Sequence, residues 1–401
     1  MLKKESIGVS RRNFIKGASA AAAVTALGSS GLDCIVDKKI EKVTLGRTGM
    51  KASKFLGDRM PDRVMYELAI ASGVNYWHKF GHWIEPAPYD LFRKLDRDSF
   101  YCDTTVPSLD KDEAIRIFEK VLKDTGLEYI DGFKIHSQYR NAEDVKTKKG
   151  AVEAFEYLKK KGKTRFLMMS QHINTSEVFE AAVESDMFDL IQVPVNPVVP
   201  RDYLTNEVFP QKAKDVYFST IKKAAEKGTA VTAMKVFMFG PKYWDEIPDL
   251  KEKVKNYLPD NKSIATALIH WTLDVPGVLA FGNMVSSFEE LKENLEAAGG
   301  KLDENEAGGL KKFSECIGGY YCRMCGACEK ANPCGVAVSD ILRFYGYYKG
   351  YDNPQSAKAL YNCLPKHRRA DSLKDFGAYE KNCPYKLPLT KLLREAHNVL
   401  A

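Results

Sequence analysis

Between residues 43 and 299 the chain alternates short apolar runs with amphipathic stretches of helical period, and this alternation limits the fold more than any other feature. Candidate strands fall at 75–80, 100–106, 129–136, 164–170, 189–195, 229–236 and 278–282, with a further one near 53–57. Helical patterns lie between them, as at 111–124, 151–161 and 176–185, and a last one at 287–298 ends at Gly299 and Gly300. Eight strands with crossover helices predict a parallel sheet closed into a (β/α)₈ barrel, an α/β fold of the TIM type. No GxGxxG follows the first strand, which argues against an open dinucleotide-binding sheet.

A barrel of about 250 residues leaves room for a second module, and the chain has 401. Its formal charge of +7 is concentrated at the start, where Lys3, Lys4, Arg11, Arg12 and Lys16 face only Glu5. The remainder is close to balanced and has no basic stripe interleaved with aromatics, so no nucleic-acid partner is expected. Arg11 and Arg12 precede an Ala-rich apolar stretch from 17 to 27, too short to span a bilayer comfortably. Residues 1–35 therefore predict a twin-arginine targeting signal, with the Tat export machinery as a partner and the periplasm or another extracytoplasmic space as the destination. Cys34 stands in a poor lipoprotein context, and no lipid anchor is expected.

Seven of the nine cysteines follow residue 315. Cys322, Cys325 and Cys328 form C-x2-C-x2-C, a spacing that turns three thiolates towards one iron–sulfur cubane. In a two-cluster module the fourth cysteine of each run ligates the other cluster. Counting back from Cys383-Pro384, the other ligand places of the second run hold Leu373, Phe376 and Tyr379, so a second cluster has lost its thiolates. The expectation is one [4Fe–4S] cluster on Cys322, Cys325, Cys328 and Cys383, with the second space filled by packing. Cys334 becomes a leftover ligand, and Cys316 and Cys363 structural thiols, a disulfide among these three being the alternative. A zinc site or a set of disulfides would be the competing reading of the whole group, but zinc prefers two separated pairs. The expected domains are 1–35, a barrel over 40–315 and an iron–sulfur module over 316–401.

The segments VTLGRTGMKAS (43–53), GVNYW (73–77), YIDGFKIHS (129–137), GKTRFLMMS (162–170), QVPVNP (192–197), TAMK (232–235) and FGN (281–283) resemble the aldo/keto reductase family over nearly all of 43–300. The tail is similar to the ferredoxin-like extension of one bacterial branch. The resemblance implies hydride transfer from NADPH to a carbonyl, with a Tyr as general acid, a Lys and an Asp that tune it, and a His that orients the substrate. The family's Asp place falls on His78, its Tyr place on Trp83 and its Lys place on Thr105; only His136 matches. An indole N–H gives up no proton near neutral pH, and Thr105 has no charge with which to tune a neighbour. On the cofactor side the resemblance places Ser170, Gln192, Gly282 and Lys235, with Gln171 in place of an Asn and Val195 in place of the stacking aromatic. These changes argue against ordinary NADPH-dependent reduction.

Four histidines, His78, His82, His136 and His172, fall at or just after strand C-termini, the end of such a barrel where active sites lie. Together they are candidate catalytic groups, with an additional metal at these imidazoles as one use. Lys79, Asp103, Gln171 and Lys235 are expected on the same rim, and Cys102 is expected to face the helices. Trp77 and Trp83 read as core or pocket wall, and His270, His367 and His397 as structural. Two functions follow. One is an exported oxidoreductase that exchanges electrons through the cluster with a redox partner or a small-molecule substrate. The other is a non-catalytic scaffold within a membrane-associated complex.

Overall fold

The short apolar runs and amphipathic stretches become strands and helices in the expected order. The computed structural model describes residues 40–81, 88–173, 175–198, 211–255, 263–330, 335–351, 353–373 and 375–401. The targeting segment with Cys34, and His82, Trp83 and Cys334, lie outside the described residues.

A hairpin of β1 (Lys42–Thr44) and β2 (Lys51–Ser53) precedes the barrel. The barrel strands are β3 (Phe55–Gly57), β4 (Tyr76–Trp77), β5 (Tyr101–Val106), β6 (Gly132–His136), β7 (Phe166–Ser170), β8 (Leu190–Pro194), β9 (Ala230–Met234) and β10 (Val278–Asn283). All pair in parallel and close with β10 beside β3. β4 is much shorter than the candidate strand 75–80, because Lys79 and Gly81 take left-handed backbone (φ 52° and 89°) and turn the chain out of the sheet.

Helices α1 (Lys111–Thr125), α2 (Gly150–Lys160), α3 (Thr175–Ser185), α4 (Ile264–Asp274), α5 (Phe288–Ala297) and α6 (Glu304–Ile317) cover the sheet. Their ends are chemically marked. Asp110 accepts from Glu113 N at 2.8 Å to start α1, and Gly126 stops it with φ 71°. The helix–sheet layer includes Phe118, Phe133, Phe155 and Cys102, so Cys102 faces outward. Inside the barrel a separate layer of Leu56, Tyr76, Met168, Leu190, Ala230 and Ala280 is closed at the N-terminal end by Leu45, Met50 and Ala52. The polar residues of the site therefore rest on an apolar floor.

Beyond α6 the chain builds a second, smaller core from α7 (Val338–Gly350), α8 (Pro354–Asn362), α9 (Leu389–Leu400) and the segments between them. Phe376 and Tyr379 are buried in it, whereas Leu373 is exposed. This region is tied to the C-terminal end of the barrel. Arg323 donates to Val198 O at 3.4 Å, and Tyr243 donates to Tyr320 O at 2.6 Å. Gly346 and Gly350, one turn apart, let α7 lie on Phe239, whose ring and carbonyl leave no room for a side chain at either glycine. Among the described residues no helix is long and apolar enough to cross a membrane.

Candidate active site at the barrel mouth

Alternation along β5 and β6 sends Asp103, Thr105, Lys134 and His136 to the barrel interior. Asp103 and Lys134 are fully buried and pair at 2.5 Å (Lys134 Nζ to Asp103 Oδ1). His78 Nδ1 stands 2.5 Å from Asp103 Oδ2, Tyr76 donates to the same oxygen at 3.0 Å, and Lys134 Nζ is 3.2 Å from His78 Nδ1. On its other side His78 Nε2 is 2.9 Å from Gln192 Nε2. A contact of that length to a carboxylate needs a proton on Nδ1, so Nε2 accepts from the amide and the ring is neutral. Burial lowers the His78 pKa, with Lys134 next in effect, and Asp103 only partly opposes them. Burial alone would raise the Asp103 carboxyl, but Lys134 and His78 hold it well below the usual carboxylate range. A methyl on Gly282 would stand 2.6 Å from His78 Cδ2, so this position must lack a side chain for the imidazole to lie across it.

Above this layer opens a cavity of about 390 Å³. Lys79, Thr105, His136, His172, Gln192 and Lys235 line its barrel side, and Asp340, Arg343, Tyr347 and Tyr351 of the C-terminal region form its roof. Three of its residues, Lys79, Ser137 and Lys235, follow strand ends in left-handed backbone at φ 52–56°. Such conformations are costly for residues with a Cβ and cluster at functional sites. Lys79 pairs with Asp58 at 2.7 Å and Arg343 with Asp340 at 2.7 Å. Burial brings the Lys235 ammonium down to about 8. It would push the Tyr347 phenol up, but Lys235 and then Arg343 outweigh it and bring Tyr347 down to about 8 as well.

The expected site residues separate into two levels. His136, His172, Gln192, Gly282, Lys235 and Lys79 reach the cavity, whereas Asp103, Gln171 and His78 lie beneath it and not on its rim. Gln171 Nε2 is turned away to the carbonyls of Tyr139 and Ile173. Ser170 is held by His136 Nδ1 at 2.7 Å, and the His136 and His172 rings meet edge to face at 4.8 Å. The described histidines thus point to different partners. Among the described residues no group of three or more His, Cys, Asp or Glu side chains could hold a metal ion. Two groups escaped the sequence reading. Lys134 was legible as a lone cation two places before His136 on an otherwise apolar strand. Tyr347 and Arg343 are brought in from a distant helix, and no local pattern announces them. His270 and His397 are bonded to Glu306 and Tyr361 away from the cavity.

On the far side of the roof, Cys328 and Cys383 belong to the second core, and Cys322 and Cys325 pack against it. Burial raises the Cys328 thiol, and Cys322, Cys325 and Cys383 each raise it further, which places the four within one another's electrostatic reach. Burial likewise pushes Cys322 up to about 12. Met324 (φ 54°) and Gly326 (φ 71°) curl the loop between the cysteines, and Met324 N donates to Cys322 Sγ at 3.4 Å. All seven described cysteines are free thiols. The rings of Tyr321, Phe239 and Tyr347 run from beside Cys322 to the cavity, with centroids 5.2 and 6.4 Å apart.

The sequence profile of the aldo/keto reductase family matches residues 91–315, and that of the twin-arginine translocation pathway signal sequence matches residues 8–28. The chain is similar in structure to an aldo-keto reductase from Bacillus halodurans in its holo form. The TM-score is 0.53 at 15% identity, over 68% of this chain and 96% of that one. For the apo form of the same protein the TM-score is 0.51 at 16% identity, over the same shares of the two chains. At such identities the likeness speaks to the fold alone. No curated protein matches the chain.

Proposed function

The chain belongs to the aldo/keto reductase family and carries a twin-arginine signal that suggests export, and on that premise we propose that it is an exported iron–sulfur oxidoreductase whose reaction takes place in the roofed cavity. Residues 316–401 form a ferredoxin-like module in this reading, holding one [4Fe–4S] cluster on Cys322, Cys325, Cys328 and Cys383. The observation that carries it is the gathering of these four free thiols beside the cavity roof. A cubane spreads its ligands over four corners, farther apart than the ligands of a single ion. Backbone N–H groups directed at Cys322 and Cys325 suit thiolates. When bound, such a cluster supplies one-electron transfer.

Hydride transfer from NADPH finds little support. The groups the family would turn to a nicotinamide are engaged elsewhere: Ser170 by His136, Gln192 by His78, and Gln171 by two carbonyls. The tetrad positions carry His78 and Thr105, and NADPH is scarce outside the cytoplasm. A bare scaffold is disfavoured by the buried, strained, cationic lining of the cavity, which costs stability and serves no packing purpose.

Purified from its native compartment, the protein should contain iron and acid-labile sulfide in equal amounts and give an EPR signal on reduction. Cys383→Ser should degrade this signal to that of a three-iron form, and Cys334→Ser should leave it unchanged. The reverse pattern would refute the ligand assignment, and a colourless protein that reduces carbonyls with NADPH would refute the function.

A further inference from the structure

Every described cation lining the cavity but one has a carboxylate. Lys134 has Asp103, Lys79 has Asp58, and Arg343 and Arg140 share Asp340. Lys235 ends the β9 segment in left-handed backbone and is 7% exposed. Among the described residues no carboxylate stands within ion-pair distance of it. Its company is the Tyr347 hydroxyl and the rings of Phe239 and Tyr347, each 5.4 Å from Nζ, with Arg343 and Lys79 adding repulsion. A second observation falls on the same wall. His172, also 7% exposed, has a buried Nδ1 with no hydrogen-bond partner, and it feels the charges of Lys235, Arg343 and Lys79. Burying an uncompensated ammonium and an orphaned imidazole nitrogen in one pocket is expensive unless something enters to satisfy them.

The charge that enters can be counted. One uncompensated ammonium balances one negative charge, and the neutral donors around it supply hydrogen bonds but no further charge. A phosphate dianion would leave its second charge unmatched. The rest of the lining includes apolar walls at Pro107, Met234, Met284 and Leu360, which suit a short hydrocarbon chain. We propose that the cavity binds a small organic monocarboxylate as its substrate, the carboxylate meeting Lys235 Nζ and the Tyr347 hydroxyl between barrel and roof. This rests on the cavity being the reaction site, but its test is a binding measurement that needs neither turnover nor an electron donor.

The full chain with its iron should be titrated calorimetrically with monocarboxylates from acetate to hexanoate, with the matching primary amides, with inorganic phosphate and with NADPH. The acids should bind more tightly as the chain lengthens, and each amide should bind at least about tenfold more weakly than its acid. Lys235→Met should lose about tenfold or more of the affinity for acids with no change for amides, Lys235→Arg should recover part of it, and Tyr347→Phe should weaken acids several-fold. Acids and amides of equal affinity would overturn the proposal, and the amide comparison needs no variant to fold. Tighter binding of phosphate or NADPH than of any carboxylate would overturn it too, by marking a phosphate site. Loss of the iron–sulfur reading would show in the metal analysis alone and leave these isotherms as they are.

Discussion

Asp103 lies between two basic groups without access to water, so its charge can be tested apart from its shape. Asp103→Asn keeps the outline and removes the charge that Lys134 and His78 face, and it should destabilise the fold by about 3 kcal/mol near neutral pH. The sign of the pH dependence follows from the depressed folded pKa. The stability owed to ionised Asp103 is complete above its unfolded value of about 3.9 and is lost as pH falls towards the folded one. Denaturant titrations of the two proteins should therefore converge below about pH 4 and separate above it. Gly282→Ala probes the same layer from above. The added methyl has only His78 and Gln192 to displace, and thermal melts should show a loss of about 1–3 kcal/mol. At this scale the sequence was informative where a polar residue sits at a strand end, as His136 and Lys235 do. It was less so for Asp103 and Lys134, because alternation puts them on the inner face but does not say how far down the barrel they pair.

At the scale of elements, α7 decides whether the cavity has a roof. Gly346→Ala would ordinarily favour a helix by about 1 kcal/mol. Here the methyl meets the Phe239 ring, so the helix must lift or the ring must turn. The variant should be less stable by about 1–3 kcal/mol, and hydrogen exchange should quicken at the α7–Phe239 contact while the β7–β8 pairing stays protected. The strands themselves were legible because each is an apolar run bounded by turn residues, and the helices because their polar faces repeat with the right period. What could not be read was β4 ending after Trp77. Phe80 extends the candidate run past the polar His78 and Lys79, and it is the left-handed backbone at Lys79 and Gly81 that turns the chain away. Nor does the pattern of α7 say that its Arg343 and Tyr347 face the barrel rather than water.

For the whole molecule, the two cores should respond differently to iron. In the proposed reading the smaller one is built around four thiols, and ligand binding free energy there is folding free energy. Chelating the iron should split a single thermal transition into two, the earlier one exposing α7 to α9, and calorimetry with far-UV circular dichroism would resolve them. A single unshifted transition would show that the C-terminal core holds without metal. Length, charge and cysteine spacing led to an expected division into signal, barrel and cysteine-rich tail, and the structure shows a closed barrel and a second core beyond α6. The docking of that tail over the barrel mouth depends on contacts such as Arg323 to Val198, between residues 125 positions apart.

Arg343 and Tyr347 stand on a helix far along the chain from the strands whose cavity they cover, so the cavity gains its roof only when two separately packed cores have met. A copy in which the barrel alone has folded is an open cup, and in the proposed reading its reaction site is still incomplete.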